Sequence, residues 1–109
     1  MNLSKLEEDF IGDLSQDSHE LWELYEFVRH HHANAPENEV LIRGRELLAS
    51  WVGRGWLKAS KSRCDASVLA GDQLLAEVDK LGQAAADPET GTILLDLTDR
   101  AAIDVKGLA

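Results

Sequence analysis

Between Pro36 and Arg54 the apolar residues Val40, Leu41, Leu47, Leu48, Trp51 and Val52 recur at three- and four-residue intervals. That spacing brings side chains onto one face of an α-helix. A helix of roughly five turns crosses most of the width of a small domain, so the remaining segments must pack around it. Its other side carries Ile42, Ala49 and Gly53, unusually apolar for a solvated face, and the helix is therefore expected to be central and contacted from two sides. Gly44 interrupts the apolar face where a missing side chain admits a close neighbour. Asn34, Pro36 and Glu37 mark the start, and Gly55 is placed for the C-terminal cap. Trp56-Leu57 should then fold back onto the core.

Two shorter helices precede it. Leu3, Leu6, Phe10 and Leu14 share a face over about Leu3–Ser15, with Ser4 and Glu7 at capping-box spacing. Leu21, Leu24, Tyr25 and Val28 form a stripe over about Ser18–His31, with Asp17 and Glu20 at the same capping spacing. On that helix His19, Glu23 and Glu26 are expected to face water, and Trp22 and Phe27 fall on the margins of the stripe. Residues 58–65 are polar and basic and read as a surface loop. Leu74, Leu75, Val78 and Leu81 indicate a fourth helix ending before Gly82, starting either at Asp65 or near Asp72. A turn over Asp87–Gly91 leads to the one convincing strand, 92–97, and Thr98-Asp99 cap a short last helix through Ala101, Ala102, Ile103 and Val105. Buried backbone groups need partners, so that strand should pair with Trp56–Lys58 or with its own copy in a second molecule. The expected fold is mainly α: four to five helices around a central helix, with one or two short β-strands, in one domain spanning 1–109.

Charge narrows the function. The 109 residues carry a net charge of −9, unevenly spread. Residues 1–28 hold eight acids and Lys5 alone, −7; residues 29–63 hold seven bases and three acids, +4; residues 64–109 hold nine acids and three bases, −6. An acidic body repels a phosphate backbone, which disfavours nucleic acid, and suits either solubility or a basic partner. No basic stretch leads into an apolar one near Met1, and no apolar run has membrane-spanning length. The expected location is the cytoplasm, without membrane contact. Cys64 is the single cysteine, which excludes a disulfide framework and a CxxC pair.

No chemistry-bearing pattern emerges. His30, His31 and His32 are adjacent and so point about 100° apart on a helix; no His-x-x-x-His pair offers metal-ligand spacing. Cys64 lies beside Arg63 and near Lys61, which lowers thiol pKa values, but no motif supplies the base that a nucleophile needs. The glycines form neither GxGxxG nor GxxxxGK[ST]. The expectation is a protein without catalytic, metal or cofactor sites that acts by binding a protein partner.

Two resemblances sharpen this. Leu21-Trp22-Glu23-Leu24-Tyr25, Gly44-Arg45-Glu46-Leu47-Leu48, Gly55-Trp56-Leu57 and Leu94-Leu95-Asp96-Leu97-Thr98 resemble, in character, the small bacterial immunity proteins of contact-dependent inhibition and related toxin systems. The resemblance implies an acidic cytoplasmic inhibitor that covers a toxin domain, frequently a basic nuclease. Glu8, Glu23 and Glu26, which point away from the expected core stripes, are the candidate contacts to such a basic toxin domain. Arg43, Arg45 and Arg54, followed by Gly55-Trp56-Leu57 and, much later, Leu95-Asp96-Leu97-Thr98-Asp99-Arg100, resemble the outline of a winged-helix domain. That resemblance implies a nucleic-acid-binding or regulatory adaptor using Arg43, Arg45, Arg54, Lys58, Lys61 and Arg63. A whole extra helix stands where the family has a short wing hairpin.

Overall fold

The computed structural model describes residues 3–62 and 65–105; Arg63 and Cys64 lie outside the described residues. Ser4 starts helix α1 (Lys5–Gln16) by the expected reciprocal cap: the Glu7 amide donates to Ser4 Oγ and the Ser4 amide to Glu7 Oε1, each at 3.2 Å. Asp17 does not open the next helix. It closes α1, and its carboxylate accepts the Ser18 amide at 2.8 Å. Two residues then run extended as β1 (His19–Glu20), paired with a distant strand, so α2 (Leu21–His31) starts later than its periodicity suggests. Glu20 is its N-cap, and the Glu20 amide donates to Glu23 Oε2 at 2.6 Å.

Helix α3 (Glu37–Gly53) buries Val40, Gly44, Leu48 and Trp51 and packs on α2 and on α4 (Gly71–Leu81). Gly55, just past its end, has φ +75°, a left-handed conformation that glycine adopts without steric cost, and the chain turns there so that Trp56 enters the core. Of the residues expected on the second apolar side of α3, Ala49 is half-buried, Ile42 is 55% exposed and Gly53 is exposed.

The basic stretch after Trp56 is not a loop. It forms β2 (Leu57–Ser62), which pairs antiparallel with β3 (Asp65–Leu69), and α4 then begins at Gly71. A 3-10 turn (Gly82–Ala86) and the Asp87–Gly91 turn lead to β4 (Leu94–Leu97), and α5 (Asp99–Asp104) follows. The four short strands form one antiparallel sheet in the order β1-β4-β2-β3. β4 pairs within the molecule, Leu57 opposite Leu97 and Ala59 opposite Leu95, the first of its two expected partners. The fold is mainly helical with this small sheet. Alternation along the strands sends Leu57, Ala59 and Leu95 into the core, while Lys58 and Val68 stay exposed on the other face.

The core is one cluster with an aromatic centre. Phe10 stacks on Trp51 with ring centroids 5.7 Å apart and meets Phe27 edge-on at 5.0 Å. Both buried indoles are anchored by carboxylates: Trp51 Nε1 donates to Glu7 Oε2 at 2.9 Å and Trp56 Nε1 to Asp104 Oδ2 at 3.0 Å. A buried Trp N–H needs such an acceptor. Among the described residues no helix is long and apolar enough to cross a membrane.

Candidate functional site

Helices α1 and α2 lie side by side, and the groove between them collects the acids of the first segment. Glu8, Asp9 and Asp13 come from α1 and Glu26 from α2, with Phe27 half-buried between them and His30 and His31 at one end, around a space of about 730 Å³. The helical repeat accounts for the arrangement. Glu8, Asp9 and Asp13 stand beside the buried Leu6-Phe10-Leu14 row, and Glu26 follows Tyr25 at the edge of the α2 stripe. Gly12 lines the groove without filling it, since a Cβ added there meets nothing within 4 Å.

The carboxylates differ in freedom. Asp9 lies 3.3 Å from Lys5 Nζ and 3.2 Å from His31 Nε2, the latter joining α1 to the end of α2. Glu26, 52% exposed in its side chain, pairs with Arg29, which also holds Glu37. The hydrogen bond to Glu37 raises the Arg29 pKa and lowers that of Glu37. Glu8 and Asp13 are exposed and meet no basic side chain among the described residues. Of the three candidate contacts, the structure thus brings Glu8 and Glu26 to one groove. Glu23 is different: its side chain is 30% exposed and is engaged by the Glu20 amide, with His19 Nδ1 at 3.2 Å from its other oxygen. His19 is likewise turned inward, against Phe10 and Phe27. The expectation that Glu23 and His19 face water is corrected, because β1 pairing draws the start of α2 onto the sheet.

Among the described residues the bases of the middle segment meet different partners. Arg43 Nη2 lies 3.0 Å from Glu39, one turn earlier on the same helix, and Arg45 binds Asp79 of α4 through Nε at 2.7 Å and Nη2 at 3.1 Å. This hydrogen-bonded fork raises the Arg45 pKa and lowers that of Asp79. The Arg54 guanidinium lies over the Trp56 ring, 5.1 Å from its centroid, as cation–π attraction favours. Lys58 and Lys61 are exposed on β2 and meet no acid among the described residues; Arg63 lies outside them. The histidines separate as adjacent helical residues do: His31 faces Asp9, and His32 is exposed. No group of three or more His, Cys, Asp or Glu side chains among the described residues is arranged to hold a metal ion.

Asp9 and Asp13 are groove acids that the choice of Glu8, Glu23 and Glu26 misses. The signal was present in the sequence as the i, i+4 spacing of Asp9 and Asp13 on the side of α1 next to Phe10. No protein-family model, curated protein or solved structure matches the chain.

Proposed function

We propose that the chain is a non-enzymatic binding protein, an immunity-type inhibitor of the cytoplasm that neutralises a basic toxin domain by docking the acidic α1–α2 groove onto it. The observation that carries the reading is the contrast between the two charged regions. Among the described residues Glu8 and Asp13 stand exposed without an ionic partner and share one groove with Asp9 and Glu26, whereas Arg43 and Arg45 are occupied by the chain's own Glu39 and Asp79, and the exposed Lys58 and Lys61 lie apart from them on β2. Uncompensated surface charge of one sign steers an oppositely charged partner and sets association rate more than final affinity. The test is capture from the lysate of the source organism, including the products of neighbouring genes. The wild-type protein should retain a stoichiometric cationic domain at low salt, and the Glu8→Lys/Glu26→Lys variant should not. Equal capture by both rules out the groove.

A second reading, a winged-helix-like adaptor, draws support from one contact. The two stretches that carry that resemblance clasp each other: the Thr98 amide donates to the Trp56 carbonyl at 2.8 Å, and Thr98 Oγ1 to the Gly55 carbonyl at 2.5 Å. This reading requires salt-sensitive retention on DNA or RNA that weakens in Lys58→Glu/Lys61→Glu. Absence of retention at low salt removes it.

A further inference from the structure

His31, the last residue of α2, lies with its Nε2 3.2 Å from Asp9 Oδ2 on α1. The pair crosses the seam between the two helices, which also holds the edge-on contact of Phe10 with Phe27. His31 borders two cavities: the acidic groove, and a cleft of about 500 Å³ lined by α1 and α3. In the cleft it is joined by Lys5 and Glu7 of α1, Arg43 and Glu46 of α3, and His32. The groove adds Glu8, Asp9 and Asp13 of α1 and Glu26 and His30 of α2. Six carboxylates thus stand against Lys5 and Arg43, and Arg43 is occupied by Glu39. Lys5 lies 3.3 Å from the other oxygen of Asp9, but its side chain is 75% exposed, where solvent leaves an ion pair little strength. The His31 side chain is only 19% exposed and sits at a helix C-terminus, whose free carbonyls attract a cation. Histidine is the side chain that takes up a proton between about pH 8 and 5, a range in which carboxylates keep their charge. A neutral imidazole offers a carboxylate an ordinary hydrogen bond or a lone pair, whereas a charged one makes a contact about twice as strong.

We propose that His31 and Asp9 form a proton-operated latch between α1 and α2, fastened when the imidazole is charged and slack when it is neutral. Its contribution to stability is present in mild acid and lost as pH rises through the range in which histidine gives up its proton. The same proton offsets one carboxylate of the groove, so fastening the two helices makes the groove less acidic. The latch is a property of the chain alone and stands or falls independently of what the groove binds. A double-mutant cycle on the full-length protein tests it. Wild type, Asp9→Ala, His31→Ala and the double variant are unfolded in urea at about pH 5.5 and about pH 8, on either side of the histidine range. Alanine suits both helical positions, so all four fold, and titration of His19 and His32, common to the four proteins, cancels in the cycle. Asp9 and His31 should be coupled roughly two- to fivefold in the unfolding equilibrium constant in acid, and close to uncoupled at the higher pH. The same cycle built on His30→Ala should keep the acid coupling. Equal coupling at the two pH values makes the contact an ordinary hydrogen bond and overturns the proposal, as does no coupling at either. Loss of the acid coupling in His30→Ala overturns it too, since the controlling proton then belongs to His30.

Discussion

At Gly44 an added methyl carbon would stand 2.4 Å from Tyr25 Cε1 and 2.8 Å from Cδ1, while at Gly12 it would meet nothing within 4 Å. Both glycines are interior to helices, where alanine is favoured by about 1 kcal/mol. Gly12→Ala should therefore raise stability by about 0.5–1 kcal/mol in urea unfolding. Gly44→Ala should lower it by about 1–3 kcal/mol, because the ring it strikes is locked in the core. The same ring sets a pH dependence. Tyr25 keeps its proton to about 12 in the folded chain, whereas an unfolded tyrosine loses it near 10. The folded state therefore holds more protons across that window, and stability falls as pH rises through it, by roughly 2–3 kcal/mol in all. Below pH 10 the contribution is fully present. In Tyr25→Phe this component of the alkaline fall should vanish. At neutral pH that variant should stay within about 0.5 kcal/mol of wild type, since no protein hydrogen bond is lost. A close approach at Gly44 was legible in the sequence, but its partner was not: Tyr25 reaches it from another helix, which local spacing does not reveal.

The capping carboxylates bind elements together as well as ending them. Glu7 closes the N-terminal cap of α1 and accepts the Trp51 indole of α3, so Glu7→Ala removes a cap and strands a buried donor. The expected loss is about 2–3 kcal/mol, measurable by urea unfolding, with the α1–α3 contact weakened first in hydrogen exchange. Asp104 plays the corresponding part at the other end. Arg100 first, and then the Trp56 N–H, hold its carboxyl below the usual range. The four longer helices were readable because each repeats apolar residues at a 3.6-residue period over at least two turns. The sheet was not. β1 has two residues, and on β2 the inward positions carry Leu57 and the small Ala59 between Lys58, Ser60 and Lys61, so the alternation that marks a half-buried strand is almost silent. What makes β2 a strand is β4, nearly forty residues later, whose Leu95 and Leu97 lie opposite Ala59 and Leu57. The Glu20–Glu23 cap was missed for the same reason, since Asp17 and Glu20 have equally good spacing and only the β1–β4 pairing decides between them.

Across the whole molecule, the fold converts an uneven charge sequence into an uneven surface. Three of the middle segment's seven bases pair with acids of the chain itself: Arg29 with Glu26 and Glu37, Arg43 with Glu39, Arg45 with Asp79. On α1, Asp9 is paired with Lys5 and His31, and Glu8 and Asp13 meet no basic side chain among the described residues. Net charge was legible from composition, but its distribution was not, because Arg45 and Asp79 are 34 positions apart. Glu8 and Glu26 are the informative pair to reverse: Glu8 has no ionic partner among the described residues, and Arg29 keeps Glu37 when Glu26 is changed. Glu23→Lys is the contrasting variant. It should cost about 1 kcal/mol of stability through the lost cap and change association little. The most direct measurement is the association rate of the captured basic partner with wild type and with Glu8→Lys/Glu26→Lys, over a series of salt concentrations. An acidic docking groove predicts a wild-type rate that falls steeply with salt and a variant about tenfold or more slower at low salt, with a flattened slope. Equal rates and equal slopes for the two proteins would contradict it.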